Sequence, residues 1–218
     1  LLLLPGDGVG PEIFHAIEPI LDWVRKAGVT TRQAHSGYVA YQAQGITLPK
    51  ETLTLALASD AVLFGAEDTE AFGGVPIDKR PPSALLALRR AMEVFANLRP
   101  IQVTHAQAEL SPLRSEVVIG TDMVIVRELV SGLYFGTPRG VEVLADGRRR
   151  GVDSLVYVSD EIERIARVAF ELARSRKGQL CSVDKANVLA TGALWRQIVT
   201  TIGNEEFPDV VLSHMYVD

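Results

Sequence analysis

Six polar side chains could do chemistry together, because each follows a strand-like run or stands beside a loop. They are Arg89, Arg99, Arg127, Tyr134, Lys185 and Asp218. Three arginines suit a substrate with two or more carboxylates, since the guanidinium fork matches a carboxylate in two-point geometry. A lysine beside such a cluster could serve as a base, because like charge and burial favour its neutral form, and a tyrosine can pass a proton. One carboxylate could contribute to a Mg²⁺ site completed by substrate oxygens and water.

The stretch at residues 124–140, VIVRELVSGLYFGTPRG, would position two of these groups. An apolar strand runs into a Gly-rich turn, with Arg127 and Glu128 at the junction and Tyr134 seven residues after the arginine. Ligand sites of α/β proteins usually lie at this end of the strands. Taken alone, the stretch also fits a strand end with a solvated arginine and a half-buried tyrosine. The six polar side chains taken together favour a functional site.

Strands and helices alternate along the chain, which predicts an α/β fold with a mainly parallel sheet. An apolar run at residues 1–4 enters the turn PGDGVGPE, and a helix is predicted from Pro11 to about Lys26. The glycine spacing is G-x-G-x-G, and no acid follows about 20 residues later, so the turn does not match the dinucleotide fingerprint of a classical Rossmann fold.

A second helix is predicted to begin after Ser83, which would cap it, and to carry Arg89 as far as about Asn97. Pro100, which follows Arg99, marks the only domain boundary that the sequence suggests. It divides the chain into residues 1–99, the start of a first domain, and residues 100–218, a second domain.

The segment 141–158 is predicted to form a hairpin around Asp146-Gly147. A lone hairpin is marginal in water, so this one is expected to pack on a partner chain. Asp160 and Glu163 form a capping-box pattern at the start of the next helix.

The last elements place further polar groups near the end of the chain. Lys185 follows a strand, and the helix after it is predicted to stop at Gly203. In the final strand, residues 209–218, the two-residue period puts His214, Tyr216 and Asp218 on one face.

The composition excludes several classes of protein. The 218 residues carry a net charge of −5, which argues against a nucleic-acid binder. The apolar runs fall short of the roughly 20 residues that span a bilayer, so no membrane segment is predicted. A single cysteine, Cys181, fits a reducing cytoplasm and is expected in the core. Because the sequence starts without Met and ends just after a strand, we expect a fragment of a longer protein.

Six runs resemble the isopropylmalate dehydrogenase branch of the β-decarboxylating dehydrogenases, a family that also contains isocitrate, homoisocitrate and tartrate dehydrogenases. The runs are LLLPGDGVGPEI, ANLRP, VIVRELVSGLYFGTPRG, ERIARVAFELAR, SVDKANVL and HMYVD. The resemblance covers nearly the whole chain in order. It implies that family's fold of two domains, with the first incomplete here, and a homodimer joined through the second domain and the hairpin arm.

The resemblance also implies how the substrate is held. The three arginines, Arg89, Arg99 and Arg127, would grip the carboxylates of a 2-hydroxy diacid. Leu85 and Leu86 would accept an isopropyl group, which points to 3-isopropylmalate.

The same resemblance assigns the chemical steps. Lys185 would take the hydroxyl proton, acting across the subunit boundary, and Tyr134 would protonate the enolate after CO₂ is lost. Asp218 would bind both substrate and Mg²⁺ (or Mn²⁺), with two further metal-binding acids lying beyond the end of this sequence. The isolated chain is therefore expected to be inactive.

Four residues are assigned to NAD by the resemblance: Ile13, Gly73, Gly74 and Asn187. The acidic loop at 66–82 replaces a shorter Gly-rich loop of the family, and Pro82 stands where the family has a glutamate. The expected activity is NAD- and Mg²⁺-dependent oxidative decarboxylation of 3-isopropylmalate to 4-methyl-2-oxopentanoate in leucine biosynthesis. The alternatives are a relative acting on tartrate, homoisocitrate or isocitrate, and a non-catalytic fragment or regulatory paralogue.

Overall fold

The structure, a computed structural model, describes residues 1–68, 70–76 and 79–218. The chain divides into two compact units, Leu1–Glu93 and Val94–Asp218. The predicted boundary after Arg99 lies later in the chain than this division. The difference arises because Arg99 lies within a strand that begins at Ala96 and pairs with a strand of the second unit.

A parallel three-stranded sheet forms the centre of the first unit. Its strands stand in the order β2-β1-β3 and are β1 (Leu2–Gly6), β2 (Arg32–Gln33) and β3 (Val62–Ala66). The helices are α1 (Gly10–Ala16), α2 (Glu18–Lys26), α3 (Tyr38–Gln44), α4 (Lys50–Leu57) and α5 (Ala84–Ala91). Successive residues of β1 face opposite sides of the sheet, so Leu2 and Leu4 pack against α4 and α5 while Leu3 packs against α1 and α2. The predicted α/β class with parallel strands is confirmed.

The single helix predicted over residues 11–26 is wrong, because the structure has two helices there. The break falls at Ile17, and α2 starts with Pro19 in its first turn. A proline inside a continuous helix would remove one backbone hydrogen bond and clash with the preceding turn.

The predicted extent of α5 is also too long. The helix ends at Ala91, and Glu93 then adopts a left-handed backbone conformation with φ of 52°. Phe95, which lies within the predicted extent of this helix, packs instead in the second unit, where the Arg164 guanidinium lies 4.7 Å from the centre of its ring. The contact of Phe95 with a residue distant in sequence therefore takes the place of the last helical turn that was predicted.

The second unit contains three pairs of strands. They are the antiparallel pair β4 (Ala96–Gln102) and β5 (Asp122–Glu128), the hairpin β6 (Gly140–Val143) and β7 (Arg149–Val152), and the parallel pair β8 (Gln179–Asp184) and β9 (Val211–Tyr216). The helices are α6 (His105–Ala108), α7 (Ser115–Val118), α8 (Ser159–Arg174) and α9 (Ala190–Glu206). The core lies between α8 and α9, where the buried rings of Phe170 and Phe207 stack with centres 5.0 Å apart.

The predicted stop at Gly203 is wrong, since α9 continues to Glu206. Gly203 serves close packing rather than termination. A methyl group added at its Cα would lie 2.9 Å from Cζ of Phe170, so only glycine lets α9 approach α8 this closely.

The hairpin exists where it was predicted, but its second strand is Arg149–Val152 rather than the apolar run that follows. Asp146 accepts a hydrogen bond from the Arg148 N–H at 3.0 Å in the turn. The apolar run after β7 packs elsewhere, because the Val156 carbonyl accepts a hydrogen bond from Gly132 N–H at 3.0 Å.

Two smaller predictions fail for local reasons. The N-terminus of α8 is capped by Glu161, which accepts from the Val158 N–H at 2.9 Å, whereas Glu163 pairs with Arg167. Cys181 is exposed, because the inward-facing residues of β8 are the alternate ones. Within the described residues, no helix has both the length and the apolar composition that crossing a membrane needs.

Candidate active site

The register of β4 and β5 brings two of the predicted arginines onto one face. Asn97 is opposite Arg127, and Arg99 is opposite Ile125. Opposite residues of an antiparallel pair share a face, and diagonal neighbours are about 7–8 Å apart, within reach of long side chains. Arg99 and Arg127 are therefore diagonal neighbours, and both are exposed. The Arg99 Nε also donates to Asn97 Oδ1 at 2.6 Å.

Tyr134 lies beside the strand face that carries Arg99 and Arg127. It ends a short 3₁₀ turn, Gly132–Tyr134, and the residue is 49% exposed. The Arg127 guanidinium carbon lies 5.7 Å from the centre of the Tyr134 ring, a cation–π distance. Arg139 donates a hydrogen bond to the Tyr134 carbonyl. We call Arg99, Arg127 and Tyr134 the arginine–tyrosine group.

A buried acid supports the turn that carries Tyr134. The Glu128 side chain is 1% exposed and accepts hydrogen bonds from Val130 N–H at 3.1 Å and Ser131 N–H at 2.9 Å. Arg164 of α8 completes the set at 3.3 Å. The sequence marked Glu128 only as an acid near the strand end, whereas its carboxylate fixes the backbone between β5 and Tyr134.

Glycine is required at the start of this turn. Gly132 has φ of 74°, a left-handed conformation, and a Cβ there would lie 2.7 Å from Cζ of Tyr157. Tyr157 in turn packs edge-on against Trp195, with ring centres 5.6 Å apart. Burial, followed by the negative charges of Glu128 and Glu161, raises the pKa of the Tyr157 hydroxyl.

Lys185 and Asp218 form an ion pair at the ends of the neighbouring strands β8 and β9. The Lys185 side chain is 27% exposed and that of Asp218 is 62% exposed. The hydrogen bond from Lys185 lowers the pKa of the Asp218 carboxyl, and a backbone hydrogen bond adds to this effect. Asn187, two residues beyond the lysine, is exposed. We call Lys185 and Asp218 the lysine–aspartate group.

The predicted shared face of the last strand is only partly observed, because β9 ends at Tyr216. His214 and Tyr216 both contact α9: His214 Nε2 lies 3.1 Å from Thr200 Oγ1, and Tyr216 accepts a hydrogen bond from Arg196 at 3.4 Å. The sequence reasoning missed Arg196, which also pairs with a buried acid, Asp184. In the sequence, Asp184 is visible only as an acid immediately before Lys185.

Within the residues described, no hydrogen bond, ion pair or ring contact joins the arginine–tyrosine group to the lysine–aspartate group. A single chain thus presents two separate polar groups. The first has two cations beside a phenol, which suits a carboxylate substrate and a proton donor. The second has an amine held beside one exposed carboxylate.

The substrate helix predicted in the first unit has an unexpected cap. Ser83 accepts from the Leu86 N–H at 3.1 Å, as predicted, and also donates to Glu67 at 2.6 Å. Glu67 accepts the Ala84 N–H at 2.7 Å as well. An acid of the loop 66–82 therefore stabilises the start of α5. The three residues of α5 that the resemblance assigns to the substrate are all half-buried: Leu85, Leu86 and Arg89.

The residues assigned to NAD in the first unit lie on the surface. Ile13 is 40% exposed on α1, and Gly73 and Gly74 are exposed. The preceding residue, Phe72, is buried between Tyr38 and Tyr41, with ring centres 5.0 and 5.3 Å away. The loop is thus anchored while its glycines face solvent. Three of its residues, Thr69, Ile77 and Asp78, lie outside the described residues.

The lysine–aspartate group offers a metal one carboxylate, that of Asp218. In the part of the chain that the structure describes, no three His, Cys, Asp or Glu side chains come together as a metal site. Asp218 alone supplies an exposed carboxylate beside the lysine. That donor suits Mg²⁺, which takes one or two carboxylates and keeps several waters and substrate oxygens.

Comparison with known proteins gives one consistent family. The family model for isocitrate/isopropylmalate dehydrogenase matches residues 1–218. The 3-isopropylmalate dehydrogenases of Paramagnetospirillum magneticum and Gluconobacter oxydans are 51% and 47% identical to the chain, and each alignment covers 100% of the chain and 60% of the relative. The solved isocitrate dehydrogenase of Methylococcus capsulatus has a TM-score of 0.80 at 28% identity, covering 100% of this chain and 60% of that one. The chain thus spans about 60% of the length of these curated relatives, and it belongs to the isocitrate/isopropylmalate dehydrogenase family.

Proposed function

We propose that this protein carries out the NAD- and Mg²⁺-dependent oxidative decarboxylation of 3-isopropylmalate to 4-methyl-2-oxopentanoate, a step of leucine biosynthesis. The observation that carries the proposal is the presence of both polar groups, each assembled from residues that the family resemblance marks. Relatives 51% and 47% identical bear the name 3-isopropylmalate dehydrogenase, which supports this choice of substrate.

The arginines would hold the substrate. Arg99 and Arg127 share one strand face, so two guanidinium forks can meet two carboxylates of a diacid. Arg89 of the first unit is assigned to the substrate by the resemblance, as are Leu85 and Leu86, which would receive the isopropyl group. The branched apolar chain favours leucines, whereas a third carboxylate would need polar partners.

Proton movement would be divided between the two groups. Asp218 would contribute one ligand to Mg²⁺, which when bound polarises the substrate hydroxyl, and NAD supplies the hydride acceptor. Lys185, after leaving its ion pair with Asp218 and releasing its own proton to water, would take the hydroxyl proton as a neutral amine. After the carboxylate leaves as CO₂, the Tyr134 hydroxyl would return a proton to the carbon it left.

A homodimer would bring the two groups together. Within one chain they are not in contact, and the resemblance implies that the lysine acts across the subunit boundary. The hairpin presents Val141 and Val143 at 61% and 72% exposure, an apolar edge suited to a second copy of the arm. The cytoplasm is the compartment we propose, in keeping with the single free cysteine.

The second candidate function is oxidation of another 2-hydroxy diacid, such as isocitrate, homoisocitrate or tartrate. The similarity to the Methylococcus capsulatus isocitrate dehydrogenase and the acidic loop at 66–82 favour it. A non-catalytic role, as a fragment or a regulatory paralogue, is the third candidate.

Formation of NADH in the presence of Mg²⁺ tests the proposal. The protein to assay is an extended chain, in which the segment that follows the aligned region of the Paramagnetospirillum magneticum relative continues the sequence after Asp218. We expect turnover with 3-isopropylmalate, and a lower kcat/KM with isocitrate and tartrate. A higher kcat/KM for one of the latter would favour the second candidate, and no NADH from any diacid would favour the third. The 218-residue chain alone should give negligible turnover.

A further inference from the structure

Asp184 is hydrogen-bonded to both segments that carry the lysine–aspartate group. Its carbonyl accepts from the Val217 N–H at 2.9 Å, one residue before Asp218. Its carboxylate accepts from the Ala186 N–H at 2.9 Å, one residue after Lys185. The position of both functional side chains therefore depends on where this one residue lies.

Arg196 of α9 holds the Asp184 carboxylate in a two-point contact. Its Nε donates to Oδ2 and its Nη2 donates to Oδ1, each at 2.9 Å. Its guanidinium carbon also lies 4.5 Å from the centre of the Tyr216 ring in β9. The Asp184 side chain is 1% exposed and that of Arg196 is 29% exposed. Burial alone would raise the pKa of Asp184, but the hydrogen bonds from Arg196 and Ala186 and the charge of the guanidinium outweigh it and lower that pKa.

Stabilisation does not by itself explain this pair. Taking two charges out of water is expensive, and well-packed apolar residues often stabilise a protein as much as a buried ion pair does. A two-point ion pair differs from apolar contacts in fixing direction, because both hydrogen bonds need defined angles.

The other polar group has the same support. Glu128 and Asp184 are each the last residue of a strand, and each pairs with an arginine on a packed helix. The Glu128 carboxylate accepts two loop N–H groups and that of Asp184 accepts one. In both cases the loop held by the acid carries a residue to which the proposed function gives a proton-transfer role.

We infer that Asp184 and Arg196 are positioning residues that set the placement of Lys185 and Asp218, an inference that rests on the proposed function for its catalytic meaning. Neither residue needs to touch substrate. Small displacements of reacting groups, on the order of 1 Å, can lower a rate about 100-fold. We therefore expect loss of the arginine to lower kcat more than it raises KM, because the substrate-gripping arginines Arg99 and Arg127 belong to the other group.

The test compares Arg196→Met with Arg196→Lys and with the matched control Arg167→Met. Arg167 also makes ion pairs on a helix of this unit, with Glu163 and Glu206, but it does not contact Asp184. Kinetics are measured in the extended chain. Amide hydrogen exchange at Ala186 and Val217 is measured in the 218-residue chain, and provides a readout that does not depend on activity.

For Arg196→Met we expect kcat to fall about 10- to 100-fold with KM changed by less than about threefold, and exchange at both amides to quicken about tenfold or more. Arg196→Lys should recover part of both losses, and Arg167→Met should leave both unchanged. In a Trp23→Phe background, the fluorescence of Trp195, which donates to Ser182 at 3.2 Å, reports whether α9 still packs on β8. Unchanged exchange at Ala186 and Val217 in a folded variant, or unchanged kcat, would overturn the inference. If the unmutated extended chain proves inactive, the proposed function fails, and the exchange data alone decide whether the pair positions these segments.

Discussion

Replacing Glu128 by alanine should unfold the second unit much more readily, and the structure allows the size of the effect to be worked out. The carboxylate is almost fully buried and accepts hydrogen bonds from Val130 N–H, Ser131 N–H and Arg164. The variant leaves all three donors without this acceptor at once. Tyr134, three to four residues beyond the two backbone donors, would lose the support of its turn.

The magnitude follows from these three contacts. A hydrogen bond to a charged group contributes about 1.5–3 kcal/mol, and removing one partner of a buried ion pair costs about 3–5 kcal/mol. Arg164 is 35% exposed and lies 3.3 Å away, so water can partly replace its lost partner. We therefore expect a loss at the lower end, about 3 kcal/mol. Glu128→Gln keeps the shape and one carbonyl oxygen and should lose less.

Urea unfolding monitored by fluorescence measures this loss. In a Trp23→Phe background, where the replaced residue is 69% exposed, Trp195 is the remaining reporter and lies in the same unit as Glu128. The control is Glu142→Ala, which removes an exposed pair with Arg150 on the hairpin and should change little. A loss for Glu128→Ala within about 0.5 kcal/mol, the range of ordinary surface substitutions, would refute the supporting role of this carboxylate.

Three other changes have expected outcomes. Burial and the charge of Arg196 lower the pKa of His214, although Asp184 opposes them, so the unfolded chain binds this proton more readily. The free energy of unfolding should thus fall as the pH drops through about 6.5, and His214→Gln should flatten that slope; equal slopes in urea titrations would contradict this. Gly203→Val should overpack α9 against an aromatic ring of α8 and lower stability by about 1–3 kcal/mol, so an unchanged urea midpoint would count against it. Tyr134→Phe in the extended chain should lower kcat about 10²- to 10⁴-fold with little change in KM, and near-normal kcat would remove the tyrosine from the proposed chemistry.

The sequence predicts the elements whose signals are local. The apolar run that became β1, the glycine turn after it and the Asp146-Gly147 turn all depend on neighbouring residues, and the structure has each of them. The capping serine, Ser83, is likewise found at the start of α5. These features need no knowledge of the rest of the chain.

The missed features depend on contacts between distant residues. Gly203 looks like a helix stop until Phe170 is seen against it, and Phe95 looks helical until Arg164 is placed over its ring. Local propensity is a weak guide where such packing decides the outcome.

The candidate active site shows the same difference between local signals and contacts of distant residues. The types and spacing of Arg127 and Tyr134 predict that they act in one place, and their residue types predict what each could do. The pair of Asp184 and Arg196 escaped notice because its members lie twelve positions apart in the sequence. An acid before a lysine gives no sign of being buried until the helix that covers it is known.

Mixed dimers test whether Tyr134 and Lys185 serve one reaction from two subunits, as we propose. Tyr134→Phe and Lys185→Met variants of the extended chain, with different affinity tags, are produced together, and dimers carrying both tags are isolated. NADH formation from 3-isopropylmalate with Mg²⁺ is then measured for each homodimer and for the mixed dimer. We expect both homodimers to be nearly inactive and the mixed dimer to regain turnover, because one of its two sites receives an intact tyrosine and an intact lysine. A mixed dimer as inactive as its parents, while all three proteins remain folded and dimeric, would show that the two residues do not serve one reaction from two subunits.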